Sequence, residues 1–415
     1  MYLKFILIST LLILALDIYF FRSFRSVIKN YNKKIKLSFS VGYWLITIFS
    51  IAFMFFIASY FVEKIAAPKI YRIYVMGLVL IIFVSKVIGS LFILAHDIGN
   101  ATTFVKRKVV KKEIPQTINP ISRKDFLKKS GMIAAAIPFG TLLFGMFKSA
   151  FDYTINRQKL VLHNIPKSFK GLKIVQISDL HLGSFLSDEP IKEISKLIAK
   201  EKPDILFFTG DLVNDIAEEA VPFIDSLKTI TASMGVFSIL GNHDYGDYFY
   251  QKDDIKGKQH NYNLIKKIHQ QIGWKLLLNE NILLQKENER LAILGVENWG
   301  SSDRFPKYGN LDQAKRGLLP ADFKLLLSHD PSHWEAKILP EHNDIAATFS
   351  GHTHGMQFGI DIPKFKWSPS QYLYKQWSGL YSQNNQFLYV NCGLGFIGYP
   401  GRVGILPEIT VFELA

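Results

Sequence analysis

The sequence predicts an α/β protein in which an N-terminal helical transmembrane region precedes a globular domain. Three observations support this prediction. Long apolar runs fill the first 100 residues, short apolar runs with strand character begin near residue 155, and polar helical stretches lie between several of the short runs. Strands that alternate with helices are typical of layered α/β architectures. We therefore expect a transmembrane region at residues 1–150 and a globular domain at residues 155–415.

The positive charge of the chain lies in its apolar N-terminal part. The 415 residues carry a net charge of +14, with a mean hydropathy of +0.13. Residues 1–150 contain 21 Lys and Arg against 5 Asp and Glu, whereas the remainder contains 28 against 30. A basic, apolar region indicates membrane topology rather than a nucleic-acid surface, so we expect no nucleic-acid partner. The single cysteine, Cys392, excludes an intrachain disulfide and a cysteine-rich metal site.

Four apolar runs are candidate membrane spans, at residues 3–21, 37–62, 70–95 and 131–147. The first three are long enough to cross roughly 30 Å of hydrocarbon. A signal peptide is the alternative for the first run, but no small-residue cleavage site follows it. Buried core helices are the alternative for the second and third. The fourth run is shorter and contains Pro138, so an interfacial or core helix is also compatible with it.

Basic residues predict the orientation in the membrane. The loop at residues 22–36 has six Lys and Arg and no acid, and residues 97–131 have nine, whereas the connection at residues 63–69 is nearly neutral. Both basic segments are therefore expected in the cytoplasm, in a multi-pass protein of the cytoplasmic (inner) membrane. If the fourth run also spans, everything after Lys148 lies outside the cytoplasm. Residues Ser122–Lys128 resemble a twin-arginine export signal, with a lysine in place of the second arginine, and favour the same orientation.

Three ionisable residues, Asp17, Lys86 and His96, lie in or next to the predicted spans. Such residues are candidates for functional intramembrane groups. We expect Lys86 to snorkel or to pack inside the helix bundle, and no role is assigned to any of the three.

The globular part predicts eight strands with helices between several of them. The helix at Glu189–Glu201 follows from the helical spacing of its apolar residues, and the polar stretch Tyr245–His260 predicts a surface loop near the site. The predicted strands are Leu172–Ile177, Ile205–Phe208, Gly235–Leu240, Leu291–Val296, Phe323–Leu327, Asp344–Phe349, Phe387–Val390 and Ile409–Leu414.

Five polar blocks follow predicted strands, and they carry the candidate chemistry. They are Ser178-Asp179-Leu180-His181, Gly210-Asp211 with Asn214 and Asp215, Gly241-Asn242-His243-Asp244, Ser328-His329-Asp330, and Gly351-His352-Thr353-His354-Gly355. Open α/β sheets bind ligands at the carboxyl ends of their strands. In extended backbone, residues i and i+2 point the same way, so Asp179 and His181 can bind one ion. We interpret Asp211 as a ligand shared by two metal ions.

The candidate ligands are two carboxylates, one amide oxygen and four imidazoles, without a thiolate. This mixture of oxygen and nitrogen suits Mn²⁺, Fe or Zn²⁺ better than Ca²⁺ or a structural zinc. The ligands are too many for one ion, and a carboxylate can bridge two. Two dications ~3.5–4 Å apart stabilise an in-line displacement at phosphorus and lower the pKa of a bound water.

These blocks resemble the calcineurin-like metallophosphoesterase family, whose pattern is D-x-H, G-D, G-N-H-D, H and G-H-x-H, over about residues 155–415. The resemblance implies a four-layer α-β-β-α sandwich that hydrolyses phosphomonoesters, diesters or pyrophosphates. It implies that His243 contacts the phosphate and protonates the leaving oxygen, while Asp244 orients His243. The ligands implied for metal one are Asp179, His181, Asp211 and His354. Those implied for metal two are Asp211, Asn242, His329 and His352.

Residues Gly351–Gln357 look like the G-H-T-H-G-G-Q block of a membrane-anchored bacterial branch of that family. Met356 stands where glycine is usual. If the backbone there needs a positive φ, the methionine would be strained. Arg402 also matches this branch, and it either contacts substrate phosphate or forms a structural ion pair.

The leading hypothesis is a membrane-anchored phosphoesterase in which a hydroxide bridging two metal ions attacks phosphorus. Membrane lipids and phosphorylated or lipid-linked small molecules, such as envelope precursors, are the expected partners. Apolar residues in Phe358–Tyr374 would line an acyl groove or form a shielded loop. The alternatives are a non-catalytic scaffold that binds a phosphorylated partner, and a transporter or sensor that depends on Asp17 and Lys86. The sequence leaves the oligomeric state open.

Overall fold

A computed structural model describes residues 2–63, 68–110 and 123–415. The chain divides into two compact units, Met1–Phe144 and Gly145–Ala415. We call them the N-terminal and C-terminal units.

Part of the predicted cytoplasmic segment at residues 97–131 lies outside the described residues, including Lys111 and Lys112. The same holds for Ser122, the first residue of the segment that resembles an export signal. The side chain of His96 is also outside the description.

Long helices form the N-terminal unit, and each predicted span lies in helical backbone that extends beyond at least one of its predicted limits. The helices are α1 (Tyr2–Val27), α2 (Lys33–Glu63), α3 (Met76–Val110) and α4 (Arg123–Phe147). A π-helical turn, Tyr71–Val75, precedes α3, and α4 continues through Pro138. Stretches long and apolar enough to cross a membrane occur at Leu7–Val27, Lys33–Ile57, Tyr71–Gly99 and Ser130–Phe151.

Asp17 and Lys86 form a buried ion pair within the helix bundle. Lys86 Nζ lies 2.5 Å from Asp17 Oδ1, and the ammonium also lies 4.5 Å from the ring centre of Tyr43. The Thr47 hydroxyl donates to Asp17 Oδ2 at 2.7 Å, and the Tyr43 hydroxyl donates to Asp17 Oδ1 at 3.1 Å. Lys86 therefore packs inside the bundle, which is one of the two expected arrangements.

Two six-stranded sheets form the C-terminal unit. The order of the first sheet is β1-β14-β2-β3-β4-β5, and that of the second is β12-β13-β9-β8-β7-β6. Strands β10 and β11 form a separate hairpin. The strands are β1 (Thr154–Leu160), β2 (Lys173–Ile177), β3 (Ile205–Phe208), β4 (Val236–Ser238), β5 (Lys275–Leu276), β6 (Glu280–Lys286), β7 (Glu289–Gly295), β8 (Phe323–Leu327), β9 (Ile345–Ser350), β10 (Ile360–Ile362), β11 (Phe365–Trp367), β12 (Gly379–Gln383), β13 (Gln386–Val390) and β14 (Glu408–Leu414). The helices are α5 (Glu189–Glu201), α6 (Ile224–Leu227), α7 (Ile255–Ile272), α8 (Leu311–Ala314) and α9 (Leu339–Glu341).

The two sheets share one hydrophobic core, and helices cover their outer faces. Phe207 of β3 and Phe349 of β9 meet in this core, with ring centres 5.0 Å apart. On the outer face of the first sheet, Phe208 packs on Trp274, which follows α7. On the outer face of the second sheet, Leu294 of β7 belongs to a cluster with Leu311 of α8. These layers confirm the α-β-β-α sandwich.

All eight predicted strands are present, and their ends lie within two residues of the prediction. The prediction of α5 is also confirmed, because the spacing of Ile191, Ile194 and Ile198 places all three in the core. The prediction of a loop at Tyr245–His260 is wrong for its second half. Helix α7 begins at Ile255, because the Asp254 side chain accepts a hydrogen bond from Gly257 N and caps it.

Candidate metal centre

Five strands bring the predicted polar blocks together. Strands β2, β3 and β4 run parallel in the first sheet, and β8 and β9 run parallel in the second. Each block begins within three residues of the carboxyl end of its strand. Because parallel strands end at the same edge of a sheet, the side chains of all five blocks converge on one place.

Asp179, His181 and His354 form the first cluster, in which all three side chains are buried. Their candidate ligand atoms lie within 4.8 Å of one another. The Nε2 atoms of His181 and His354 are 3.0 Å apart, and His354 Nε2 lies 3.2 Å from Asp179 Oδ1. The cluster therefore presents a carboxylate and two imidazoles to one point, which is the arrangement of a metal site.

Asp211, His329 and His352 form the second cluster. His329 Nε2 lies 3.2 Å from Asp211 Oδ2 and 3.3 Å from His352 Nδ1. Asp211 Oδ2 also lies 3.6 Å from Nε2 of His181, which belongs to the first cluster. One carboxylate oxygen thus lies between the two clusters.

Backbone carbonyls fix the orientation of two of the imidazoles. His181 Nδ1 donates to Val213 O at 3.1 Å, and His329 Nδ1 donates to Thr209 O at 2.7 Å. A carbonyl oxygen can only accept, so each ring carries a proton on Nδ1, and whenever the ring is neutral its lone pair is on Nε2. This is the second contact that metal-binding histidines usually make.

The side chain of Asn242 indicates whether the residues of the site fit a metal ion. Its side-chain nitrogen donates to the Tyr248 hydroxyl at 2.8 Å. Its Oδ1 atom is buried and has no hydrogen-bond partner among the described residues. A buried amide oxygen without a partner is unfavourable unless another group satisfies it. Oxygen and imidazole donors together suit a divalent transition metal, so the residues fit such an ion.

Buried charges of both signs occupy the centre. Burial alone would raise the pKa of Asp179 and Asp211, but His354 beside Asp179 and His329 beside Asp211 hold both pKa values below their usual range. Burial alone would lower the pKa of His329, but the Asp211 carboxylate raises it to about 10. The two aspartates therefore remain ionised, and cationic charge nearby stabilises them.

The backbone at the centre is in an uncommon conformation. Asp179, His181, Asp211, His352 and His354 have φ angles between +46° and +73°. Residues other than glycine rarely adopt this left-handed backbone conformation, and clusters of such residues occur mainly at functional sites. The surrounding structure must therefore impose these conformations. The expectation that Asp179 and His181 lie in extended backbone is wrong, because both have left-handed φ angles, although their side chains do reach the same cluster.

His243 and Asp244 do not contact each other as expected. His243 Nδ1 donates to Asn214 O at 2.5 Å, and its ring stacks on Tyr248 with ring centres 4.3 Å apart. The Asp244 carboxylate instead accepts hydrogen bonds from backbone N–H groups in the turns that follow β3 and β4. One of these donors is Asp211 N, at 2.9 Å. Asp244 thus holds the turn that carries Asp211, and the Asn214 carbonyl orients His243.

Arg402 is fully buried, next to the first cluster. Its guanidinium donates to the carbonyl oxygens of Cys392, Gly393 and Gly395, and Nη2 lies 3.4 Å from His354 Nδ1. Burial lowers the pKa of Arg402 to about 10. This geometry favours a structural role for Arg402 over a contact with substrate. The expected ion pair is absent from its described contacts, because the partners of the guanidinium are carbonyl oxygens rather than a carboxylate.

A cavity of about 510 Å³ lies beside His352. The Tyr374 hydroxyl lies 2.6 Å from His352 Nε2, and the Phe305 ring centre lies 5.0 Å from that of His352. Both residues line the cavity, together with Arg304 and Lys375. Aromatic and cationic groups therefore extend the site outward from the second cluster.

Comparison with known proteins gives two family matches. The model described as "Probable Calcineurin-like phosphoesterase, transmembrane domain" matches residues 3–150, and the model described as "Calcineurin-like phosphoesterase" matches residues 172–356.

Three relatives illustrate the similarity. The chain is 29% identical to the uncharacterized metallophosphoesterase YkuE of Bacillus subtilis, over 71% of this chain and 98% of the relative. It is 32% identical to the UDP-2,3-diacylglucosamine pyrophosphatase LpxG of Chlamydia trachomatis, over 56% of this chain and 81% of the relative. It is 24% identical to a transmembrane protein with metallophosphoesterase domain from Danio rerio, over 67% of this chain and 61% of the relative.

Proposed function

Because this chain belongs to the calcineurin-like metallophosphoesterase family, we propose that it uses two divalent metal ions to hydrolyse a lipid-linked phosphate ester or pyrophosphate. The family assigns it to the metal-dependent phosphoric ester hydrolases, and the helices of the N-terminal unit make it a membrane protein.

The position of Asp211 is the observation that carries the two-metal proposal. Its Oδ2 atom lies within 3.6 Å of an imidazole nitrogen in each cluster. The first ion would be held by Asp179, His181, His354 and Asp211, and the second by Asp211, Asn242, His329 and His352. Two such ions would lower the pKa of a bound water and offset the charge that develops at phosphorus. Mn²⁺, Fe and Zn²⁺ all suit this donor set.

His243 is the proposed proton donor to the leaving oxygen. Its Nδ1–H is held by Asn214 O, so its Nε2 atom is the one that exchanges a proton. The ring is half-buried and lies edge-on to His181, with ring centres 5.0 Å apart. Asp244 acts through the backbone, because it keeps the Asp211 turn in place.

The proposed substrate is lipid-linked because the catalytic residues and apolar helices long enough to span a membrane belong to one chain. One relative is named for a diacylated sugar nucleotide that contains a pyrophosphate. Arg304 in the cavity beside His352 gives a cationic partner for further substrate oxygens, whereas Lys375 is paired with Glu335. We place the catalytic unit outside the cytoplasm, at the inner membrane, because the basic segments of the N-terminal unit favour that orientation.

The test is hydrolysis by the purified full-length chain in detergent. The protein is loaded in turn with Mn²⁺, Zn²⁺ and Fe²⁺ and given p-nitrophenyl phosphate, bis-p-nitrophenyl phosphate and a lipid pyrophosphate. We expect metal-dependent turnover that Asp211→Asn abolishes, with the highest kcat/KM on the lipid pyrophosphate. Asp225→Asn, at an exposed surface position, is the matched control and should keep full activity.

Two results would count against this function. A folded, metal-loaded chain that is inert on all three compounds would favour the scaffold hypothesis. Binding of a single metal ion per chain, measured by elemental analysis, would contradict the two-metal centre.

A further inference from the structure

The β10–β11 hairpin presents an apolar face to solvent. Its register pairs Ile360 with Trp367 and Ile362 with Phe365, so these four side chains share one face. Ile360, Ile362 and Phe365 are 43%, 55% and 53% exposed. Phe358, which precedes the hairpin and is also exposed, packs against Trp367. The apolar surface is therefore continuous across both strands.

The polar face of the hairpin contacts the body of the C-terminal unit through Lys366. Asp361 and Lys366 pair across the strands on this opposite face. Lys366 Nζ lies 3.3 Å from Ser378 O and 5.2 Å from the ring centre of Trp377, both in the body of the C-terminal unit. A hairpin in water would normally bury its apolar face against the core rather than expose it. Apolar surface that is contiguous and exposed usually marks an interaction site.

We infer that the apolar face of this hairpin inserts into the surface of the lipid bilayer. The same chain carries apolar helices long enough to span a membrane, so their insertion would tether the C-terminal unit to a bilayer. Aromatic and aliphatic side chains next to exposed lysine are the composition of interfacial membrane anchors. Lys364 is exposed at the hairpin tip and would lie among anionic headgroups.

The hairpin is joined at both ends to the metal centre. It begins after Gln357, which ends the loop that carries His352 and His354. It is followed by a short turn that leads to Tyr374, whose hydroxyl lies 2.6 Å from His352 Nε2. Ser368 also donates to Gly355 O at 2.7 Å and ties the far end of the hairpin to that loop. Lipid contact would therefore hold the site beside the membrane surface and, if the proposed function is correct, beside its substrate.

The test uses the full-length chain in vesicles of phosphatidylcholine and phosphatidylglycerol, with and without nitroxide on the acyl chains. A fluorescent dye is attached at Ile362→Cys. The matched controls are Ile255→Cys and Leu319→Cys, which are apolar and exposed on other surfaces. Cys392 is buried, so the unsubstituted chain gives the labelling background. We expect nitroxide to quench the dye at position 362 severalfold more than at either control position.

Quenching at position 362 that is no stronger than at the controls would overturn the inference. Weak quenching together with dye–dye energy transfer would instead identify a second copy of the chain as the partner, and would also overturn it. Because quenching requires no turnover, it supports the lipid contact even if the chain hydrolyses none of the substrates tested.

The double substitution Ile362→Asp with Phe365→Asp tests whether the apolar face of the hairpin affects hydrolysis of a membrane substrate. We expect kcat/KM on a vesicle-embedded lipid pyrophosphate to fall about tenfold, because the anchor loses apolar contact with the bilayer. Hydrolysis of soluble bis-p-nitrophenyl phosphate should stay unchanged. An equal loss on both substrates would show damage to the metal centre and would contradict a lipid-binding role.

Discussion

Two glycines allow the Asp179 carboxylate to reach the metal centre. A Cβ atom at Gly351 would lie 2.3 Å from Asp179 Oδ2, and one at Gly393 would lie 2.7 Å from Asp179 Cβ. Both approaches are too short for any side chain, and Gly393 also has a φ of +76°. These glycines therefore act on the site by leaving room for a ligand rather than by contacting a metal.

Met356 has the positive φ that would make a side chain unfavourable there. Its φ is +49°, and its side chain is 41% exposed. A residue with a side chain in this conformation is destabilised by roughly 1–2 kcal/mol. We therefore expect Met356→Gly to raise the free energy of unfolding by about 1 kcal/mol and Tm by about 2–4 °C. Thermal unfolding of the full-length chain measures this change.

Gly355→Ala is the matched control, because it adds a side chain at a positive φ where Met356→Gly removes one. Gly355 has a φ of +53°, and a Cβ atom there would lie 3.0 Å from Ile405 Cγ2. This variant should lower Tm. If Met356→Gly lowered Tm as well, the contacts of the methionine would outweigh its strain.

The residues of the five polar blocks could be predicted because their spacing is local. Asp179 and His181 are two residues apart at the end of one strand, and such a pattern is visible in a single sequence. Tyr374 belongs to the segment Phe358–Tyr374 and Asn214 to one of these blocks, but the residues that they contact could not be predicted. Their contacts with His352 and His243 join positions 22 and 29 residues apart, and the paths of the intervening loops decide them.

Helices α1, α2 and α3 are linked by the polar network around Asp17. Asp17 is on α1, Tyr43 and Thr47 are on α2, and Lys86 is on α3. Removing one member of a buried ion pair leaves the other charged and without compensation, which is more unfavourable than removing both. The pair therefore specifies how these helices pack.

We expect Lys86→Met to destabilise the helix bundle by about 3 kcal/mol, because the Asp17 carboxylate would stay buried without its cation. Asp17→Asn combined with Lys86→Met should recover part of this loss. Lys34→Met, at the exposed start of α2, is the control and should have little effect. Thermal unfolding in detergent gives the double-mutant cycle, and strictly additive effects would contradict the coupling.

The interior strands could be predicted, whereas the edge strands could not. Strands β3 and β8 are short runs of buried apolar residues, which is the pattern that single sequences reveal best. Strand β1 mixes polar and apolar residues and is exposed or half-buried along most of its length, and all three residues of β10 are exposed. Such segments become strands because they pair with a neighbouring strand, and their own sequence of polar and apolar residues does not predict it.

At the scale of the whole molecule, metal binding should stabilise the C-terminal unit. Both clusters are built from loops that follow different strands, so ions would join parts of the chain that are distant in sequence. A ligand at about 100 times its Kd adds roughly 2.7 kcal/mol to the free energy of unfolding. Removing the ions should therefore lower Tm by about 5–10 °C.

Tryptophan fluorescence during heating, with and without a chelator, measures this effect. Trp44 lies in the N-terminal unit and the other five tryptophans lie in the C-terminal unit, so the signal reports mainly on the latter. Adding back Mn²⁺ should restore Tm, and Asp211→Asn should respond weakly to both treatments. A Tm that does not change on chelation would contradict a structural contribution from the ions.

The position of β14 has a consequence for the order in which the C-terminal unit can assemble during synthesis. Strand β14 lies between β1 and β2 and pairs with both, from Thr154↔Glu408 onward on one side and Thr410↔Gln176 on the other. Strands β1 and β2 are made early, yet neither can pair with β14 until the ribosome has passed residue 414. The nascent unit must therefore keep two strand edges unpaired while more than 200 residues are added, and chaperones that shield such edges would act during this interval.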